Sequence, residues 1–195
     1  MPDRLIIYHN RASALGQWLP VEEPLFDGEI PRWIEHPTLG SKADLVGIPL
    51  RNLEGVELVE YDLGVPSLAI MVGVSDTVSV IGFPFGLRVG GSLAVWATGF
   101  VASEPEIDHD ALPMFLVDCR SRRGQSGSPV VAYRSGGAVA MADGGSAVFA
   151  GPVEKLMGIY SGRVNQESDL GRVWKVSAIE AILRQLAPNP FNIRP

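Results

Sequence analysis

Short apolar runs broken by glycine, proline and aspartate set the pattern of this chain, and a 3.6-residue period surfaces only near its end. Residues 4–9, rich in Leu5, Ile6 and Ile7, read as a strand that breaks at Asn10. Residues 18–21 and 31–34 are two more short strands, separated by the turn residues Asp27-Gly28. Asp44 opens the apolar run Leu45-Val46-Gly47-Ile48-Pro49-Leu50. Residues 55–61 alternate, with Val56, Leu58 and Glu60 set against Glu57, Val59 and Tyr61, which predicts a half-buried strand. From Thr77 a strand runs into the aromatic, glycine-flanked turn Phe83-Pro84-Phe85-Gly86, whose rings are expected to pack in the core. Residues 92–96, 99–103 and 114–118 follow as strands, and 156–162 and 171–175 close the β part. Between them residues 135–151, rich in Gly and Ala, predict a long hairpin or a mobile insertion. The one helical pattern is Ile179, Ile182, Leu183 and Leu186, with Ser177 and Glu180 as a capping box and Pro188 as a stop. It predicts a helix over 177–187 and a tail over 188–195.

Composition narrows the class. A chain of 195 residues can bury one sizeable core or two small ones, and 46% hydrophobic with 19% charged residues is the balance of a soluble globular protein. The 22 glycines and 15 prolines fall mostly between apolar runs, which favours a barrel or sandwich. A soft boundary near residues 63–76 divides the chain into parts 1–70 and 71–187. The net charge of −6 argues against nucleic acid or an anionic membrane as partner, since either calls for a basic face. Basic residues cluster once, at Arg120, Arg122 and Arg123. Cys119 is the only cysteine, so no internal disulfide forms, which fits a reducing compartment. The start lacks the basic-then-apolar layout of a signal peptide, and no apolar run approaches the ~20 residues that span a bilayer; the expectation is a cytoplasmic chain.

Candidate chemistry sits in Gly124-Gln125-Ser126-Gly127-Ser128-Pro129-Val130, a polar turn that feeds a strand. It does not fit the G-x-S-x-G nucleophile elbow, because position 128 is serine and no helix follows. It resembles the nucleophile turn Gly-x-Ser-Gly-x-Pro-Val of trypsin-like serine proteases. Other segments resemble that family in the same order. Asp44 to Leu50 is similar to the stretch in which the triad aspartate opens a buried strand. Residues 81–87 followed by 99–103 resemble the bacterial high-temperature-requirement branch, and Gly158-Ile159-Tyr160-Ser161-Gly162 resembles the strand that pairs with substrate backbone. The likeness runs from about residue 40 to about residue 187 and includes the terminal helix.

The resemblance implies a mainly β, chymotrypsin-like double β-barrel with an incomplete first barrel (1–70), a second barrel carrying the nucleophile (71–187) and a C-terminal helix. It implies peptide-bond hydrolysis through an acyl-enzyme, with Ser126 as nucleophile, Asp44 orienting a base, and the N–H groups of Gly124 and Ser126 holding the oxyanion. Ser161 and Gly162 would bind substrate. Arg120, six residues before the serine, would stand at the base of the specificity pocket, where a cation disfavours Lys or Arg side chains and favours acidic ones. The substrate is then a peptide or protein, and no metal or organic cofactor is needed. Gln125 replaces the aspartate that captures a freed N-terminus in zymogens, so activation by N-terminal cleavage is not expected.

The family's order is His, Asp, Ser, and no histidine fits it. His36, eight residues before Asp44, lies in a turn too close to reach around a site; His9 ends a strand but lacks the Thr-x-x-His-like surroundings; His109 comes too late. Only about three strands precede Asp44, too few for a closed six-stranded barrel. The expectation is a C-terminal part of a trypsin-like protease, inactive or nearly so as it stands. A peptide-binding module that has lost catalysis is the alternative, and an unrelated barrel with a chance GQSGSP loop is a third.

Overall fold

The computed structural model describes residues 2–14, 16–61, 63, 70–90 and 93–186, and it is mainly β. Two compact units divide the chain: Met1–Tyr61 with Arg88–Leu93 and Ala181–Asn192, and Asp62–Leu87 with Ala94–Glu180 and Ile193–Pro195. Residues 64–69, within the expected boundary, lie outside the described residues.

In the first unit β1 (Arg4–Asn10) and β2 (Trp18–Pro24) form an antiparallel hairpin in which Ile7 faces Val21 and Asn10 faces Trp18. Only β2 is buried, through Val21 and Glu23, while Leu5, Ile6 and Tyr8 of β1 stay exposed. Two minimal ladders follow, β3 (Phe26–Asp27) with β4 (Ile30–Pro31), and β5 (Ile34–Glu35) with β6 (Val46–Gly47). The unit is therefore organised around an ion pair instead of an apolar cluster. Glu23, 1% exposed, meets Arg32 at 3.1 Å, and its other oxygen accepts the N–H groups of Arg51 at 2.8 Å and Asn52 at 3.4 Å. Arg32 also donates to the carbonyls of Pro24 and Pro49. The pair thus ties β2 to β4's exit and to the segment after β6.

Burial pushes the Glu23 carboxyl up, but the Arg51 N–H, the Arg32 guanidinium and the Asn52 N–H outweigh it and hold it below the usual range. A carboxyl depressed in the folded state stabilises it above its unfolded value, roughly pH 4.3, and that contribution disappears as pH falls through the folded value. An acid titration followed by tryptophan fluorescence is expected to show the first unit loosening below about pH 4.3, with Glu23→Gln removing that pH-dependent component.

Three predicted strands do not form as read; the first, 31–34, is split between the end of β4 and the start of β5, with Arg32 turned to the Glu23 ion pair. Residues 55–61 pair only at their start, where Val56 bridges Arg11 and the Glu57 N–H donates to the Asn10 carbonyl at 2.9 Å. Beyond that point residues 58–60 pair with no strand among the described residues, and Leu58 and Val59 are exposed. The run after Asp44 is not a buried strand either: β6 is two residues long, with Val46 and Leu50 exposed. Pro49 has no N–H for a ladder, and its carbonyl is taken by Arg32.

The second unit is a closed antiparallel barrel. Its strands are β7 (Thr77–Gly82), β8 (Val95–Val101), β9 (Met114–Asp118), β10 (Pro129–Arg134), and, after a hairpin of β11 (Gly137–Ala140) and β12 (Ser146–Phe149), β13 (Val153–Arg163) and β14 (Leu170–Lys175). Around the barrel the order is β10-β13-β14-β9-β8-β7, with β10 closing on β7. Three consecutive strands lie side by side and the chain then crosses to the far edge, a Greek-key path. β-branched and aromatic residues at alternate positions supply the interior: Val78, Val80, Phe115, Val117, Val130 and Val173 are all at most 1% exposed.

The segments predicted as 92–96 and 99–103 are one strand, β8, because Ala97-Thr98 holds no breaker and Thr98 pairs its hydroxyl with Ser79 at 2.9 Å; Ser92 lies outside the described residues. The Gly- and Ala-rich stretch is the hairpin and not a mobile insertion, held by the Met71 N–H on the Ala140 carbonyl and by buried Val139. The helix α1 spans Val176–Leu183 and buries Ala178 and Ile182. It starts one residue before Ser177, which therefore sits inside the first turn and not at the cap. Residues 187–195, with Pro188 and the tail, lie outside the described residues.

Candidate functional site

The turn before β10 is built by its own backbone first. The Gln125 N–H donates to the Arg122 carbonyl at 3.2 Å and the Ser128 N–H to the Gln125 carbonyl at 3.0 Å. The Gln125 side chain, fully buried, closes the same loop by accepting the Arg122 N–H at 2.6 Å. The turn is then clamped to β13: the Gly127 N–H donates to the Tyr160 carbonyl and the Tyr160 N–H to the Ser128 carbonyl, both at 2.8 Å. These two bonds extend the β10–β13 ladder past Pro129 into the turn.

The result is an exposed Ser126 whose hydroxyl donates to the Ser161 carbonyl at 2.8 Å, with Gly162 alongside. Gly124, at φ +95°, turns the chain into this loop. Among the described residues the N–H groups of Gly124 and Ser126 donate to no protein acceptor, and both residues are exposed. The far wall is the single-turn 3-10 helix Pro84–Gly86, where the Phe85 N–H donates to the Arg123 carbonyl at 2.6 Å. Phe85 was expected in the core. It sits at φ +56° and is 65% exposed, because the bond to Arg123 fixes its backbone and leaves its ring outside the barrel; Pro84 is buried and Phe83 half-buried.

Behind the turn, Tyr160 is 2% exposed and its hydroxyl bonds the buried Ser121 hydroxyl. Burial pushes its phenol above the ordinary tyrosine value, against the Ser121 hydrogen bond, so the group is neutral. Arg120 is exposed, and no ion pair engages it among the described residues. Arg122 donates to the Ser121 carbonyl at 2.9 Å and lies 3.7 Å from Asp169, and Arg163 donates to the Gln166 carbonyl at 3.0 Å. Cys119 is buried, its thiol on the Ala97 carbonyl at 3.2 Å, and burial beside Asp118 and Asp169 pushes that thiol up.

The second unit thus brings Gly124, Ser126, Ser161 and Gly162 together. Asp44 belongs to the first unit and is exposed in the bend after the 3-10 helix Gly40–Lys42. His36 is buried and its Nδ1 accepts the N–H groups of Thr38 and Leu39 at 3.4 and 3.3 Å, a turn-capping role that puts the ring proton on Nε2. His109 lies 3.4 Å from Asp110 in the loop before β9. His9 is half-buried in β1, opposite Leu19, with Nε2 buried and without a hydrogen-bond partner among the described residues. Among the described residues no group of three or more His, Cys, Asp or Glu is arranged to hold a metal, and no helix is long and apolar enough to cross a membrane.

Sequence reasoning missed Tyr160, Ser121 and Phe85 as site residues. Tyr160 carried a signal, since it directly precedes Ser161 in an alternating strand. Compared with protein-family models, curated proteins and solved structures, the chain matches none.

Proposed function

We propose that the second unit is the nucleophile-bearing barrel of a trypsin-like serine endopeptidase, of chymotrypsin-like type with an incomplete first barrel, and that it acts on peptide laid along β13. The observation that carries this is the clamped turn: Ser126 stands exposed next to the Ser161 carbonyl, beside two N–H groups with no protein acceptor. The closed Greek-key barrel supports it. Exposed Phe85 offers an apolar wall for the substrate. In the reaction the Ser126 oxygen attacks the peptide carbonyl carbon and gives its proton to a general base. The developing oxyanion is held by the Gly124 and Ser126 N–H groups. The amine leaves with that proton, and water then hydrolyses the ester and restores the Ser126 hydroxyl. No metal or organic cofactor enters.

The bond from Ser126 to Ser161 favours a second reading, a peptide-binding module without catalysis, because it commits the hydroxyl proton to an acceptor that is not a base. An alkyl fluorophosphonate separates the two. Covalent labelling of Ser126 in the full chain, abolished by Ser126→Ala and seen as a mass increment on the peptide carrying residues 124–130, is expected of the peptidase. An intact, folded chain that takes no label is the result expected of the binding module.

A further inference from the structure

The volume behind Ser126 is occupied, and we propose that Tyr160 closes the side-chain pocket beside the nucleophile turn, so that the residue whose carbonyl Ser126 attacks carries a small uncharged side chain such as that of Gly, Ala or Ser. This rests on the peptidase assignment above. A peptide paired in extended form with Ser161 and Gly162 places its side chains alternately toward solvent and toward the barrel. In this proposal the inward side chain at Ser126 enters between the 119–123 segment and β13–β14, the two sides that the Ser121–Tyr160 bond joins.

Tyr160 spans that gap. Its backbone N–H and carbonyl are both used by the turn, so the residue cannot shift along the strand. Its hydroxyl is tied to Ser121, itself 1% exposed, on the 119–123 segment. Its ring lies against Gly171 of β14: a β-carbon there would run into Cε2 and stand 3.0 Å from the hydroxyl oxygen. Bare backbone at 171 is what gives the ring its place. Swinging the ring out for a large side chain would strand two buried hydroxyls. A glutamate side chain is excluded by the same filled volume, since Tyr160 and Ser121 hold each other across it.

The test uses the full chain and peptidyl diphenyl phosphonates that differ only in carrying Ala, Phe or Glu at the reacting position, with the alkyl fluorophosphonate as the control for Ser126 reactivity. The Ser126 oxygen displaces phenoxide from phosphorus in each diphenyl phosphonate and fluoride in the alkyl fluorophosphonate, its proton going to the general base. The Ala probe is expected to label at least about tenfold faster than Phe or Glu. Tyr160→Ala, or Tyr160→Leu should the former not fold, is expected to bring the Phe probe level with Ala. Phe or Glu labelling the unaltered protein as fast as Ala overturns the pocket inference, as does an unchanged ranking in a folded Tyr160 variant. Failure of the alkyl fluorophosphonate to label Ser126 in every form overturns the peptidase assignment itself, and the pocket with it.

Discussion

Replacing Gly124 by alanine is expected to slow fluorophosphonate labelling of Ser126 by about 10²- to 10³-fold, the loss that follows when one oxyanion donor is removed. Two independent constraints act at this residue. Its φ of +95° is one that a side chain adopts only with strain, of about 1–2 kcal/mol. A β-carbon there would also lie 2.8 Å from the Phe83 carbonyl oxygen and 3.3 Å from the Phe85 nitrogen, both backbone atoms. That wall cannot retreat, because the Phe85 N–H is bonded to Arg123 and the Gly86 N–H to Phe83 at 2.9 Å. The remaining freedom is rotation of the 123–124 peptide, which turns the Gly124 N–H away from the nucleophile. Gly28→Ala is the control, at φ +62° with nothing within 4 Å: it carries the backbone strain and leaves labelling alone. Labelling of Gly124→Ala at the unaltered rate would remove Gly124 from the proposed chemistry.

Glu23→Gln is expected to cost about 3 kcal/mol of stability, read as a lower urea midpoint, because it leaves the guanidinium of Arg32 buried beside a neutral amide. Arg32 then keeps the Pro24 and Pro49 carbonyls but loses its counter-charge. Glu22 provides the contrast. It is the next residue on the same strand, its contact with Arg4 at 3.0 Å is exposed on both sides, and Glu22→Gln is expected to leave the midpoint in place. Equal shifts from the two substitutions would show that burial of the Glu23–Arg32 pair does not organise the first unit.

The barrel was legible because its strands follow the rule that reads best from sequence: β-branched residues alternating between glycine and proline breaks, as in Thr77 to Gly82. Alternation misled where no neighbour was available, at Leu58 and Val59. The centre of the first unit was illegible for a different reason. Glu23 and Arg32 look like surface charges in a sequence, and only the third dimension shows that each is the other's solvent. In the site, Ser126 and Gly124 stood out through composition, and Ser161 through resemblance. Tyr160 and Ser121 lie 39 residues apart, and nothing in either neighbourhood announces the bond between them. Phe85 reads as core in any hydrophobicity pattern; its exposure follows from one backbone hydrogen bond.

The clamp on the turn also dictates a schedule. The acceptor of the Ser126 hydroxyl lies 35 residues further along the chain, and the carbonyl that holds Gly127 is its immediate predecessor. On the ribosome, the loop from Gly124 to Pro129 emerges well before β13, and β7 waits longer still for β10 to shut the barrel through Val130 and Val131. A nascent or truncated chain ending before Tyr160 carries the serine as an ordinary loop hydroxyl. Any reactivity at Ser126 therefore waits until β13 has been made.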